Sequence, residues 1–259
     1  MSYIVRPKKS LGQHFLIDLN IAQAIADTLD NYKNTPILEV GPGMGVLTQY
    51  LLSKGHDLTV VELDHESIEY LQENFPELKG HILEEDFLKL DLSKLFSGNF
   101  CVIGNYPYNI SSQIFFKVLD YREKIPIVAG MLQKEVAERI CSGPGSKVYG
   151  ILSVLLQAWY DCEYLFNVEP YVFAPPPKVR SGVLRLTRNK RESLGVDEKF
   201  FKTVVKTAFG QRRKTLRNSL AALIAQSGMS PDSEVLALRP ERLSVDQFID
   251  LAKSLSPRP

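Results

Sequence analysis

Ile37-Leu38-Glu39-Val40-Gly41-Pro42-Gly43-Met44-Gly45 is a short apolar run closed by three alternating glycines, and its reading decides the fold. The run has strand length. The glycines permit a tight turn and let backbone amides approach a ligand closely, and from Val46 to Ser53 apolar residues recur at three- and four-residue spacing, as on one face of a helix. Strand, glycine turn and helix open an α/β unit whose turn can receive a ligand. Working outward, short apolar runs recur at 58–61, 81–83, 100–103 and 125–132, with helical patterns such as 67–73 between them. This alternation predicts a parallel sheet covered on both faces. Two later runs, 159–168 and 182–186, follow each other without a clear helix and predict an antiparallel pair closing one edge, seven strands in all.

Past Arg188 the pattern is helical only, over 197–208, 213–225 and 245–255, with turn signals at Gly228-Met229-Ser230-Pro231 and Arg239-Pro240. The expected organisation is an α/β, Rossmann-like domain over 1–187 and a small all-helical domain over 188–259. At 259 residues and 44% hydrophobic content the chain can bury a full core. No apolar stretch approaches the roughly 20 residues that span a bilayer, and Met1-Ser2-Tyr3-Ile4-Val5-Arg6-Pro7-Lys8-Lys9 lacks the apolar core of a signal peptide. A cytoplasmic protein with no membrane partner is expected. Cys101, Cys141 and Cys162 are odd in number and widely spaced, and His14, His56, His65 and His81 are scattered, so neither a disulfide framework nor a metal site is expected.

The net charge of +1 conceals an uneven distribution: residues 27–100 hold 14 acidic and 5 basic side chains, whereas residues 178–217 hold 13 basic and 3 acidic. The second region reads either as a solvated helix face or as a surface for a polyanion.

Glu62 ends the second strand, 21 residues after Gly41, where an acid can accept hydrogen bonds from both hydroxyls of a ribose. Asp86, after the third strand, is placed to accept from an adenine amine. A dinucleotide-binding dehydrogenase shares the glycines and the acid. Here, however, the motif runs G-x-G-x-G with Val46 where the longer fingerprint has glycine, and no hydride-transfer acid or base accompanies it. Pro42 between two glycines suits a loop that meets an amino-acid tail.

Asn105-Tyr106-Pro107-Tyr108 follows the run 100–104. An Asn at a strand end offers a carbonyl that can accept from an exocyclic amine, and a Tyr two residues beyond Tyr106 offers a flat face for a heterocycle, with the Pro limiting backbone motion. Alone, the tetrad fits a polar turn equally well. With the glycine loop, Glu62 and Asp86, it points to S-adenosylmethionine as cofactor and to methylation of an amino nitrogen.

Over nearly its whole length the chain closely resembles the ribosomal RNA adenine dimethyltransferases. The matching segments, in the family's order, are Lys9-Ser10-Leu11-Gly12-Gln13-His14-Phe15-Leu16, Glu39 to Gly45, Glu62 with Asp64, Asp86, Asn105-Tyr106-Pro107-Tyr108 with Asn109-Ile110-Ser111, Met131-Leu132-Gln133-Lys134-Glu135-Val136, Ser146-Lys147-Val148-Tyr149-Gly150 and Phe173-Ala174-Pro175-Pro176-Pro177-Lys178-Val179. Gln133-Lys134-Glu135, Ser146 to Gly150 and the compact basic tail are more similar to the bacterial small-subunit (16S) branch than to the macrolide-resistance methylases. The family often has Asn where His14 stands and Leu where Tyr106 stands.

The resemblance implies a Rossmann-like, seven-stranded S-adenosylmethionine-dependent methyltransferase that dimethylates two adjacent adenines of a small-subunit rRNA hairpin during ribosome biogenesis. It implies cofactor contacts from His14, Leu16, Gly41, Gly43, Glu62, Asp86 and Asn105, and a target base held by the catalytic residues Asn105, Tyr108 and Phe173, the two rings forming a sandwich. Read without it, Phe173 is a core aromatic ahead of a rigid triple proline. RNA phosphates are expected at Lys178, Arg180, Arg185, Arg188, Arg212, Arg213, Lys214 and Arg217, with the N-terminal Arg6, Lys8 and Lys9 as further candidates, and a monomer acting on a pre-ribosomal small subunit is expected. The rivals are a DNA adenine or protein glutamine methyltransferase and a ribosome-assembly factor that acts mainly by binding.

Overall fold

The computed structural model describes residues 5–256. Its strands are β1 (Phe15–Leu16), β2 (Ile37–Val40), β3 (Leu58–Glu62), β4 (Ile82–Glu84), β5 (Cys101–Asn105), β6 (Ile127–Gln133), β7 (Tyr160–Val168), β8 (Phe173–Ala174) and β9 (Ser181–Arg188). Seven of them form one sheet in the order β4-β3-β2-β5-β6-β9-β7. β2 pairs in parallel with both β3 and β5, β5 pairs in parallel with β6, and β9 runs antiparallel to β6 with Val183 opposite Met131. All four residues of β2 and the first four of β5 are buried, which is why these strands read as unbroken apolar runs. The seven-stranded α/β expectation holds, with one refinement. β9, later in the chain than β7, takes the inner position because Ser181 to Leu184 and Leu186 are buried, whereas β7 between its buried end residues carries only half-buried and exposed side chains and suits an edge.

The strand order reverses at β2, with β3 and β4 on one side and β5 and β6 on the other. A crevice outside the carboxyl ends of β2 and β5 is the place where such a sheet receives a ligand. A separate two-stranded ladder, Phe15 opposite Ala174 and Leu16 opposite Phe173, ties the N-terminal segment to the 173–175 turn. No periodicity in two-residue strands could announce it.

The described chain divides into two compact units: residues up to Ala137 with Cys162–Arg188, and Glu138–Asp161 with residues from Asn189 onward. The second unit thus takes in residues 138–161, which the sequence pattern assigns to the first domain, running through 187. The reason is the helix Ile151–Gln157, whose Leu152, Val154, Leu155 and Leu156 are buried and which packs on the helices Glu198–Gly210 and Val245–Leu255. Phe209 stacks on Phe248 within this unit at 5.6 Å between ring centres. The helix expected over 213–225 is two, Leu216–Ser219 and Ala221–Ser227, because the chain bends at Leu220 (φ −105°, ψ 12°).

Candidate active site

One cavity lies at the carboxyl ends of β2, β3 and β5. His14, Leu16, Gly41, Gly43, Glu62, Asp86 and Asn105, the seven residues named for the cofactor, all line it, as does Tyr108. The glycine loop shapes its floor. Gly41 and Gly43 have φ of +68° and +54°, and a Cβ on Gly43 would stand 2.9 Å from the Phe15 ring, so both the backbone conformation and the space require glycine at 43.

Glu62 is held by backbone donors. Leu63 N (2.8 Å) and Asp64 N (3.0 Å) donate to its Oε1, and Gly43 N donates to Oε2 at 3.1 Å. Burial raises its pKa, and the three N–H groups of Asp64, Gly43 and Leu63 oppose the rise. The result is a carboxyl fixed in orientation at the end of β3. Asp86 is oriented by Leu88 N, which donates to its Oδ1 at 2.9 Å.

The carboxamide of Asn105 is fixed too. Its Nδ2 donates to the backbone oxygen of His14 at 3.2 Å, which commits the amide's donor end to the protein and leaves Oδ1 as its acceptor. Tyr106 points the other way. Its ring is buried, its hydroxyl donates to Ala129 O at 2.7 Å, and it occupies room that Cβ atoms on Gly104 and Gly130 would contest at 3.2 and 2.7 Å. Tyr108 is half-buried, with its hydroxyl bonded to Ser181 Oγ and its ring stacked against His14 at 5.6 Å and 29°.

Phe173 stands apart from this set. It is 2% exposed and belongs to the apolar core with Leu16, Val168 and Val172, and it does not line the cavity. The expected sandwich of Tyr108 and Phe173 is therefore not assembled: β8 pairing against β1 turns the ring into the core, and the ring facing Tyr108 is that of His14.

Among the other residues that line the cavity, three without a role in the sequence reading bear on the ligand's chemistry. Leu63 is 53% exposed there and offers an apolar face, and Glu85 adds a carboxylate beside Asp86. Glu39 is the third; the signal was an acid inside an otherwise apolar four-residue strand. Burial pushes its carboxyl up to about 8, against the hydrogen bond that Thr48 Oγ1 donates to Oε2 at 2.7 Å, and the neighbouring Glu62 charge adds to the rise. Glu39, Glu62, Glu85 and Asp86 face the cavity, and among the described residues no Lys or Arg lines it. A pyrophosphate would be repelled here. A ligand carrying an ammonium and a sulfonium is matched, so the donor set fits S-adenosylmethionine and disfavours a dinucleotide.

The cations named for RNA fall into both units. Lys178, Arg213, Lys214 and Arg217 are exposed. Arg180 Nε is 3.1 Å from Glu169, Arg185 grips Glu163 Oε2 through two nitrogens at 2.7 and 2.9 Å, and Arg188 lies 3.5 Å from Glu123. Arg212 donates to Ser146 O at 3.2 Å. These four are partly engaged within the protein, which leaves the first four as the better phosphate donors.

Comparison with known proteins agrees with this geometry. The sequence profile of the family described as ribosomal RNA adenine dimethylase matches residues 4–256. Ribosomal RNA small subunit methyltransferase A of Parabacteroides distasonis is 69% identical over 248 residues, covering 96% of this chain and 93% of that protein. Its counterpart in Porphyromonas gingivalis is 63% identical over 249 residues, covering 95% and 96%. Among solved structures, a dimethyladenosine transferase from Plasmodium falciparum shares the fold with a TM-score of 0.78 at 23% identity, over 92% of this chain and 96% of that one. The 23S rRNA methyltransferase ErmE matches with a TM-score of 0.66 at 26% identity, over 93% and 99%. An acid-lined cavity that fits a cationic adenosine cofactor, an oriented Asn105 at its rim and a family match over nearly the full length converge: the chain belongs to the ribosomal RNA adenine dimethylase family.

Proposed function

We propose that this protein, an S-adenosylmethionine-dependent rRNA adenine dimethyltransferase by family, acts on two adjacent adenines in a hairpin of small-subunit rRNA, as a monomer working in the cytoplasm on a pre-ribosomal subunit. The observation that carries the adenine chemistry is Asn105, anchored through Nδ2 to His14 O at the rim of a cavity shared with Glu62 and Asp86.

When bound, the cofactor supplies an electrophilic methyl group on a sulfonium. Glu62 would accept hydrogen bonds from the ribose hydroxyls and Asp86 from the adenine amine, while Gly41 and Gly43 keep the loop close to the amino-acid part. The exocyclic nitrogen of a target adenine is a poor nucleophile because its lone pair is delocalised into the ring. In the first transfer Asn105 Oδ1 accepts one amine hydrogen and a backbone carbonyl of the tetrad accepts the other, which favours a tetrahedral nitrogen with a localised lone pair; in the second, the monomethylated amine has one hydrogen left for one of these acceptors. Pro107 O already accepts from Ile110 N at 3.3 Å, so Tyr106 O is the better second acceptor. No base is needed before attack, because the amine attacks neutral and the alkylated nitrogen loses its proton afterwards to solvent. Tyr108 supplies the face on which the extruded base stacks, and this offsets part of the unstacking cost, about 1–3 kcal/mol per base. The second face falls to His14, or to Phe173 if the 173–175 turn moves out of the core when RNA binds.

No described helix is long and apolar enough to cross a membrane. Lys178 and the 213–217 cations are assigned to RNA phosphates, which position the substrate without reading its sequence. The test is to offer radiolabelled S-adenosylmethionine with unmethylated small subunits, naked rRNA and duplex DNA separately, and to identify the modified nucleoside. Dimethyladenosine in subunits alone is the expected result. Label confined to DNA or protein would overturn the reading, and retention on subunits without any label would make the protein a binding factor.

A further inference from the structure

We propose that Asp64 is a positioning residue for the cofactor: it latches residues 8–16 as a strap across the cavity, and so sets how tightly and how long the cofactor is held without touching it. The proposal rests on the cofactor reading of the cavity.

Asp64 lies two residues beyond Glu62, is 1% exposed, and is not part of the cavity wall. It occupies the N-cap position of the helix His65–Asn74, yet its side chain accepts no hydrogen bond from that helix's backbone. The carboxylate turns to the N-terminal segment instead. Oδ1 is paired with Lys8 Nζ, and Oδ2 accepts from Gln13 Nε2 at 3.0 Å and from Ser67 Oγ at 2.9 Å. Lys8 also reaches Glu66 at 3.1 Å, and Lys8 N donates to Gln13 Oε1 at 2.7 Å, which closes residues 8–13 on themselves. Burial alone would raise the Asp64 pKa, but the hydrogen bonds from Lys8, Gln13 and Ser67 outweigh it and hold the group below the usual carboxylate range, so the latch is charged at neutral pH.

The strap then crosses the crevice. A Cβ on Gly12 would stand 2.9 Å from Asn109 Oδ1, His14 O accepts from Asn105, His14 Nδ1 donates to Pro175 O at 2.8 Å, and Leu16 pairs with Phe173. Every residue from Leu11 to Leu16 lines the cavity. The strap is thus fixed at the end of β3 by Asp64 and at the end of β5 by the Asn105 tetrad, so a ligand beneath it exchanges only when one anchor lets go. The anchor at Asp64 is the charged one, and the exposed side of Lys8 makes it sensitive to salt.

The test measures equilibrium binding and dissociation of S-adenosylhomocysteine on the full chain, with Asp64→Asn and Lys8→Met. Asp64→Asn is expected to raise Kd and the dissociation rate by about ten- to hundredfold, as loss of charge-assisted hydrogen bonds implies, and Lys8→Met by several-fold. Turnover at saturating cofactor should change by less than about twofold. Trypsin cleavage after Lys9 should be slowed by S-adenosylhomocysteine in the wild type and no longer in Asp64→Asn. Wild-type Kd and dissociation rate in both variants, or a loss of turnover with dissociation unchanged, would overturn the latch. If Asp64→Asn does not fold, Lys8→Met decides alone, since it alters only the partly exposed partner. If the wild type binds no S-adenosylhomocysteine, the cofactor reading fails and the latch with it.

Discussion

Replacing Glu39 with Gln should make the ligand-free protein more stable at high pH and less able to hold its cofactor. The unfolded carboxyl titrates near 4.5, whereas burial raises the native one to about 8. Below 4.5 both states are protonated and the group contributes nothing to the pH dependence. Between 4.5 and 8 the native state keeps a proton that the unfolded chain gives up, so stability falls as pH rises, by about 1.4 kcal/mol per pH unit. Across the window the loss is on the order of 5 kcal/mol, and above 8 it is complete. The substituted carboxamide would still accept from Thr48 Oγ1, which bonds Glu39 at 2.7 Å, but it cannot ionise. Urea midpoints for both proteins from pH 5 to pH 8.5 test this: near-equal stability at pH 5, and a variant more stable by several kcal/mol at pH 8. The difference between the two curves removes groups that do not act on Glu39, such as Asp64, whose pKa is lowered, and reports Glu39 together with its coupling to Glu62, whose pKa is also raised. If the two curves stay parallel throughout, Glu39 is ionised in the native state and the reasoning is refuted. Cofactor affinity should fall, most of all above pH 8, since a cationic ligand favours the ionised carboxylate that a carboxamide cannot become. An acid kept at a destabilising position is what a site selected for binding leads one to expect.

Asn105→Ala should lower methyl transfer by roughly a hundredfold or more while the melting temperature stays near that of the wild type, because the side chain gives up one bond to a partly exposed carbonyl; single-turnover rates on small subunits check it. Tyr108→Ala should cost about 1–3 kcal/mol in kcat/KM from lost stacking and change cofactor Kd less than that, whereas Tyr108→Phe, which loses only the Ser181 bond, should retain most activity. Gly43→Ala forces a Cβ to within 2.9 Å of the Phe15 ring at a φ of +54°, so both thermal stability and cofactor binding should fall, read by calorimetry with and without S-adenosylhomocysteine. Replacing Arg213, Lys214 and Arg217 together with Ala should flatten the salt dependence of RNA binding by up to about 0.7–0.9 for each phosphate no longer neutralised; Arg185→Ala, whose cation is already held by Glu163, should change the slope less.

The parts of the site that were legible share one property: they lie where a strand ends and a functional group must appear at a fixed offset. Glu62 closes β3 and Asn105 closes β5, so short apolar runs located them without any knowledge of packing. The parts that were not legible depend on pairings between distant segments. Phe173 has the composition of either a stacking plate or a core ring, and only its pairing with Leu16, far away in sequence, puts it in the core. Arg180, Arg185 and Arg188 read as a phosphate surface until Glu169, Glu163 and Glu123 prove to lie beside them. Helix Ile151–Gln157 is apolar on nearly every face, which says that it is buried and leaves open in which unit. The strap combines both difficulties, since a two-residue ladder has no period and its anchor, Asp64, sits where a sequence reader would assign a helix cap. Local chemistry therefore picked out groups that line the cavity, and long-range pairing decides which of them are held ready. That is why the affinity of this site should respond to Asp64 and Lys8, outside the cavity wall, as well as to the residues that line it.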